Sequence, residues 1–385
     1  MACRVQDNGL EGLMELVSER GFEGLPEAVR VLMNEAMRIE RERHLGAAPW
    51  ERSDERRGHA NGYKAKTVRS RMGELVLAVP QVRDSSFYPS SLERGLRSER
   101  ALKLAVAECY VQGVSTRKVA LITEELCGFE VSSAEVSRCA ALLDVELSAW
   151  RNRPLGAYAY VLLDARYEKV RHGGSVVDCA VLLALGVRAD GRRELLGASV
   201  KLSEAEVHWR DFLTGLKDRG LCGIKLFVSD DHAGLKAART AVFPSVPWQR
   251  CQFHLQQNAQ AYVSRLDQRA TLGAEIRAIF NAPNDAEARR LLEQFVKRHE
   301  KAAPKLAQWA DTALPEGFTV FQFPEDHRRR LRTSNALEGV NKQIKRRTRV
   351  ATLFPNEESC LRLVTAVAME ISEEWVTGKV YLQMQ

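Results

Sequence analysis

Residues 158–171 read YAYVLLDARYEKVR, and the class of the fold turns on how they are read. Their first half is a short unbroken apolar run, the pattern of a strand covered on both faces, and it predicts a buried strand ending at Asp164. Working outward, SVVDCAVLLALGV (175–187) predicts a second strand, ADGRR (189–193) a tight turn and ELLGASVKL (194–202) a third strand. A helix follows, opened by Ser203 and Glu206, with Trp209, Phe212, Leu213 and Leu216 inward and Gly220 at its end. IKLFVSD (224–230) predicts a fourth strand ending at Asp230. A short helix then runs from Gly234 to Phe243, and PWQRCQF (247–253) predicts a brief fifth strand.

This order implies an α/β unit with a mixed five-stranded sheet. The first three strands form an antiparallel meander, and the last two are reached through helices. That is the layout of a ribonuclease-H-like fold, in which the first and fourth strands are neighbours. From His254 to about Ala313 almost everything reads as helix, so an all-helical insertion is expected to interrupt the sheet unit. The carboxyl ends carrying Asp164 and Asp230 then meet. Each aspartate taken alone also reads as the start of a turn. Asp231 competes with Asp230, which is preferred because it follows the apolar run directly.

A third carboxylate comes from RTSNALEGVNKQIKRRTRV (332–350). Ser334 or Asn335 can cap a helix with Glu338 in its first turn, and Leu337, Val340 and Ile344 recur at helical spacing. One reading is a surface helix with a Glu338–Lys342 pair. The basic density argues for another: Arg328, Arg329, Arg330 and Arg332 precede the glutamate, and Lys342, Lys345, Arg346, Arg347 and Arg349 follow it. Such a helix seeks phosphates, and a carboxylate facing a phosphate needs a metal ion between them. Mg²⁺ takes oxygen ligands and shares carboxylates with phosphates. Two such ions about 4 Å apart serve in-line displacement at phosphorus.

The composition fits this without requiring it. Lys and Arg number 57 against 50 Asp and Glu, a net charge of +7, and apolar residues make up 45% of the chain. The eight cysteines, from Cys3 to Cys360, are scattered singly with no CxxC pair, which suggests a reducing cytoplasm rather than a disulfide framework. No apolar run long enough to span a membrane occurs, so a soluble protein without a membrane partner is expected. Cys251 and His254 tempt a zinc assignment, but no second ligand pair accompanies them. Trp209 reads as core, with stacking on an unpaired base as the functional alternative.

Upstream, residues 26–45 predict an amphipathic helix with Val29, Leu32, Met33 and Met37 on its apolar face, followed by a polar segment. TVRSRMGELVLAVPQVR (67–83) alternates around a Gly-Glu turn and predicts a β-hairpin whose Arg69, Arg71 and Arg83 point outward. STRKVALITEELCGFEVSSAEVSRCAALLDVEL (115–147) predicts two helices. The first has a Val119, Ile122, Leu126 stripe and is stopped by Gly128. The second is opened by a Ser132–Glu135 capping box, with a Val136, Ala140, Leu143, Leu147 stripe. The spacing fits a helix-turn-helix that presents Ser133, Ser137 and Arg138 to a major groove, though it equally fits a helix pair in a core. The expected divisions are 1–63 (helix and polar segment), 64–96 (hairpin), 97–152 (helical, DNA-binding), 153–253 (first catalytic part), 254–327 (helical insertion) and 328–385 (last catalytic part with a C-terminal helix near 357–376).

From about residue 26 to its end the chain resembles bacterial insertion-sequence transposases of the Mutator type. The resemblance is carried by NGYKAKTVRSRMGELVLAVPQVR, ERALKLAVAECYVQGVSTRKV, VSRCAALLDVEL, WRDFLTGLKDRGL and, most specifically, by WQRCQFHLQQN together with RTSNALEGVNKQIKRRTRV. It implies a catalytic triad of Asp164, Asp230 and Glu338 holding two Mg²⁺ or Mn²⁺ ions, and a Cys-x-x-His element at Cys251 and His254. Ala165 stands where the family usually has Gly, and Gln257 where Arg is typical. The implied activity is a DNA transposase that binds terminal inverted repeats and target double-stranded DNA as at least a homodimer in the bacterial cytoplasm, at the nucleoid. It would cut and join strands, with Arg332, Asn335, Asn341, Lys342, Lys345, Arg346 and Arg347 holding the backbone. A non-catalytic DNA-binding remnant and a structure-specific nuclease of the same fold are the alternatives.

Overall fold

The structure is a computed structural model and describes residues 8–83, 87–94, 97–263, 266–351 and 353–384; Cys3 lies outside them. It divides into two compact units, residues 1–142 and 143–385.

In the first unit, α1 (Asn8–Arg20) precedes α2 (Leu25–Leu45), which ends at Gly46 in the left-handed region. Met37 is fully buried on α2 and Val29 and Met33 pack beside it, but Leu32 is 54% exposed. The buried stripe drifts from Val29 toward Met37, and at 100° per residue Leu32 falls off its far edge. Strands β1 (Ala60–Ser70) and β2 (Gly73–Val82) pair antiparallel. Their turn is Arg71-Met72, two residues before the expected Gly-Glu, and Gly73 closes it at φ +110° opposite Ser70.

Three helices complete this unit: α3 (Arg100–Val111), α4 (Thr116–Cys127) and α5 (Ser133–Ala141). Ser115 caps α4, Gly128 ends it in the left-handed region, and the Ser132–Glu135 capping box opens α5. The stripe of α4 differs from expectation. Val119, Ala120, Thr123 and Cys127 are buried, whereas Ile122 and Leu126 are exposed. The second helix also breaks at Leu142, so Leu143 and Leu147 do not continue the stripe of Val136 and Ala140.

The second unit begins with α6 (Asp144–Asn152) and continues through β3 (Tyr158–His172), β4 (Ser175–Arg188), β5 (Arg193–Lys201), α7 (Glu206–Asp218), β6 (Leu226–Ser229), α8 (Ala233–Val242), β7 (Trp248–Arg250) and α9 (Gln252–Ala259). The five strands form one sheet in the order β5-β4-β3-β6-β7. β3, β4 and β5 are antiparallel neighbours, and β6 and β7 run parallel to β3. The mixed topology and the adjacency of the first and fourth strands are as the pattern predicts.

Helices α10 (Leu266–Phe280), α11 (Asp285–His299) and α12 (Pro304–Ala313) close on a core of their own with α9, built on Leu255, Ile276, Phe280, Leu292, Phe295 and Phe318. α13 (Glu325–Leu331), α14 (Asn335–Ala351) and α15 (Glu357–Thr377) return to the sheet. One sheet face packs Leu162, Val181 and Val228 against Leu337, Val340, Ile344 and Val364. The other packs Val161, Leu163 and Phe227 against Trp209, Leu213 and Leu235. The alternation of a strand thus serves both faces at once, which is why the strands read as unbroken apolar runs. Among the described residues no helix is long and apolar enough to cross a membrane, and the seven described cysteines are free.

Candidate active site

β3 does not end at Asp164. It runs eight residues further, to His172, paired with β4 throughout. What ends there is its other neighbour. β6 pairs with β3 at Tyr160↔Leu226, Val161↔Phe227 and Leu162↔Val228 and stops at Ser229. Two steps along that register bring Asp164 level with Asp230, on adjacent parallel strands about 4.8 Å apart. Asp164 is 8% exposed, and its Oδ1 accepts the Ala165 backbone N–H at 3.0 Å.

The charges around Asp164 are mostly of its own sign. Burial, with the negative charge of Asp230 and more weakly Glu338, raises its carboxyl to about 7, against the opposing pull of His254 and the Ala165 N–H. Asp231, the rival in the sequence, is turned elsewhere: it pairs with Lys236 and Arg250, both at 2.9 Å.

Helix α14 lies along β3 on the face of Asp164. Leu337, Val340 and Ile344 are fully buried against the sheet. Asn341, one turn after Glu338, donates from Nδ2 to Asp164 Oδ2 at 2.8 Å. Its backbone carbonyl accepts from Arg166, and Thr348 donates to Glu168 at 3.0 Å two turns further on. Asn341 is therefore part of the carboxylate group rather than of the outer basic face where it was expected. Its spacing of three from Glu338 was the available signal. Arg166 and Ser334 gave none.

Two acceptor atoms of this group are orphaned among the described residues. Glu338 Oε1 and Asn341 Oδ1 are buried without a hydrogen-bond partner. An unmatched buried acceptor is destabilising by about 1–3 kcal/mol. Oxygens of that kind beside a carboxyl held up by like charge fit a hard cation, which supplies positive charge and takes oxygen ligands. As the described side chains stand, no three of His, Cys, Asp or Glu form a group that could hold a metal ion. The candidate donors are thus Asp164, Asp230 and Glu338 in a common neighbourhood, not a closed cage.

Cys251 and His254 flank the same place. Cys251 is fully buried, and the Ser334 N–H and hydroxyl both donate to its sulfur at 3.4 Å. The Gln252 N–H donates to the Arg332 carbonyl at 2.9 Å, so the start of α9 is bonded to the segment that leads into α14. Burial pushes the Cys251 thiol up, but hydrogen bonds from His254 and Ser334 outweigh it and leave the thiol lowered. The Cys251 sulfur holds the His254 imidazole up to about 9, with Asp230 and Asp164 adding to the effect. The pair places a positive ring beside the aspartates. Trp209 does not take part: it is fully exposed to no solvent, packed edge-on to Phe212 in the core, and base stacking is ruled out for it in this conformation.

The expected phosphate contacts divide. Lys342, Lys345, Arg346 and Asn335 are exposed on α14 or at its start. Arg347 instead makes a two-pronged pair with Glu370 at 2.8 and 3.0 Å, and Arg332 donates to Asn281 at 2.6 Å. In the first unit Ser133, Ser137 and Arg138 are exposed on α5. Arg71 points outward as expected, 66% exposed and paired with Glu99, whereas Arg69 is half-buried between Glu74 and Glu135. Arg83 is exposed.

Comparison with known proteins bears on the whole length. The sequence profile described as "Transposase, Mutator family" matches residues 10–378. The transposase for insertion sequence element IS406 of Burkholderia multivorans is 58% identical over 384 residues, covering 99% of each chain. The transposase for ISRM5 of Rhizobium meliloti is 43% identical, covering 94% of this chain and 91% of its own. The transposase for IS256 in transposon Tn4001 of Staphylococcus aureus is 35% identical, covering 90% and 89%. Among solved structures, a simian T-cell lymphotropic virus intasome in complex with a PP2A regulatory subunit covers 60% of this chain and 72% of its own. At 12% identity and a TM-score of 0.19 that likeness is too slight to bear on the fold.

Proposed function

The chain belongs to the Mutator family of transposases, and from that premise we propose that it cuts and joins DNA at Asp164, Asp230 and Glu338 in a ribonuclease-H-like unit. The observation that carries the reading is a gathering of oxygens of one sign: an Asp164 carboxyl raised by burial and the Asp230 charge, beside the Glu338 and Asn341 oxygens that no donor reaches. Asp164, Asp230 and Glu338 would hold two Mg²⁺ or Mn²⁺ ions. Bound there, the ions supply activation of the attacking oxygen and stabilisation of the leaving one.

The chain's own residues supply the rest. Asn341 fixes the plane of the Asp164 carboxylate through Nδ2. His254 keeps positive charge near the two aspartates at neutral pH. Lys342, Lys345 and Arg346 hold the DNA backbone, while Ser133, Ser137 and Arg138 read the terminal inverted repeats. Water opens a phosphodiester, and the freed 3′-hydroxyl attacks a second one in target DNA. Two ends brought together call for a homodimer.

The test uses the full chain, Mg²⁺ and a duplex taken from the DNA flanking its coding sequence. Asp164→Asn, Asp230→Asn and Glu338→Gln are each expected to lower nicking by about a hundred- to a thousandfold or more with binding unchanged. Nicking retained in any one of them removes that residue from the site. Nicking by the parent chain without strand joining would make the protein a nuclease.

A further inference from the structure

A second basic feature of the second unit lies outside the carboxylate group. Arg193, Arg329, Arg330 and Arg332 line a cavity of about 380 Å³ together with Thr333, Asn335 and Tyr381. No carboxylate lines it. Like charges gathered this way repel, and a fold with nothing to put between them has no reason to keep them together.

The guanidiniums are also held in a particular way. Arg193 stacks on Trp375, 3.8 Å from the ring centroid, and lies 4.8 Å from the centroid of Tyr381. Arg330 stacks on Tyr381 as well, at 4.9 Å. Stacking engages the face of a guanidinium and leaves its in-plane N–H edge open. Among the described residues neither group, nor Arg329, has a side-chain hydrogen bond or ion pair, although the charge of Glu374 acts on Arg193 from further off. Nearby arginines are used differently. Arg328 donates to the carbonyls of Phe323, Pro283 and Phe321, Arg332 to Asn281, and Arg192 to the carbonyls of Val376 and Gly378.

We propose that this cavity is a phosphate site, in which Arg193, Arg329 and Arg330 grip a backbone phosphate of the DNA being cut. The planar N–H forks match phosphate oxygens in pairs. The cavity includes Asn335 and Ala336, within one turn of Glu338 on α14. A strand held there is therefore tied to the helix that bears the third carboxylate. The inference rests on the DNA-acting reading above.

The test measures binding of the full chain to a duplex from the DNA flanking its coding sequence, over a range of KCl concentrations. Arg193→Gln with Arg330→Gln is expected to flatten the plot of log affinity against log salt by about 0.9 per lost phosphate contact, and to weaken binding about fivefold per contact at 0.15 M. Arg329→Gln, an exposed side chain whose loss leaves the stacked rings intact, should do the same for one contact. Arg210→Gln removes an equal charge from α7, which packs on the other face of the sheet, and should leave the slope unchanged. Equal effects from Arg210→Gln and Arg329→Gln would overturn the site, as would an unaltered slope in the cavity variants while the parent binds. Inorganic pyrophosphate that binds the parent but not the variants, with DNA binding the same in both, would make the cavity a free-phosphate site and overturn the DNA assignment. Failure of the parent to bind duplex DNA would remove the broader reading and this one with it.

Discussion

Two clusters of charge stand side by side at one end of the sheet, and they are built on opposite rules. In the first, Asp231, Lys236, Arg250 and Glu316 alternate in sign. Arg250 reaches Asp231 at 2.9 Å and Glu316 at 2.8 Å, and Lys236 reaches the same two at 2.9 and 3.0 Å. Every charge has its opposite within the chain. In the second, beginning one residue earlier at Asp230, three carboxylates and an amide share a neighbourhood with two orphaned oxygens. In the first cluster folding matches every charge, with Arg250 Nε alone left without a partner among the described residues, whereas in the second like charge and unmatched acceptors remain together. Perturbed groups that fold cannot satisfy mark functional sites more reliably than charge density does.

Breaking the closed cluster gives the largest expected effect on stability. The Arg250 side chain is only 6% exposed, so Arg250→Met leaves two partly buried carboxylates to share Lys236. A loss of about 3 kcal/mol is expected, read as a lower urea midpoint at unchanged slope. A loss below about 0.5 kcal/mol would put this cluster among ordinary surface pairs.

Removing charge from the open cluster should act in the opposite direction. The Asp164 carboxyl sits at about 7 in the fold against an ordinary 3.8. Between those values the folded chain keeps a proton that the unfolded chain has lost. Stability is therefore highest below the ordinary value and falls as pH rises toward 7. Asp164→Asn abolishes that dependence, so the metal-free variant should be more stable than its parent at pH 8 and equal to it near pH 4. Urea midpoints of the two chains across that range measure it. A variant destabilised at pH 8 would mean that Asp164 is a satisfied carboxylate.

The sequence made the sheet legible because its strands are covered on both faces, and an unbroken apolar run needs no partner to be recognised. Order and adjacency followed from the connections alone. The end of a strand was less legible. Asp164 looks terminal in the sequence, yet the chain runs on, and the opening at that point is made by β6 stopping, which is a property of the neighbour. Amphipathic stripes on short helices misled for a related reason. On α4 the pairings of Val119 with Ile122 or with Thr123 are both helical in spacing, and only the packing of α3 and α5 selects the second. Roles fixed by distant contacts, such as Asn341 on Asp164 or Ser334 on Cys251, carry no local signature beyond their position in a turn.

The smallest effect concerns charges that belong to neither cluster. Lys345 is exposed on the outer face of α14 and has no ion-pair partner among the described residues. If the outer face serves DNA, Lys345→Ala should leave the urea midpoint within about 0.5 kcal/mol of the parent and flatten the salt dependence of duplex binding by about 0.9. Stability and binding are then separated on one side chain, which neither the closed nor the open cluster allows. A Lys345→Ala chain as salt-sensitive as its parent would return the outer face of α14 to solvent, and its density of lysine and arginine would need no ligand to explain it.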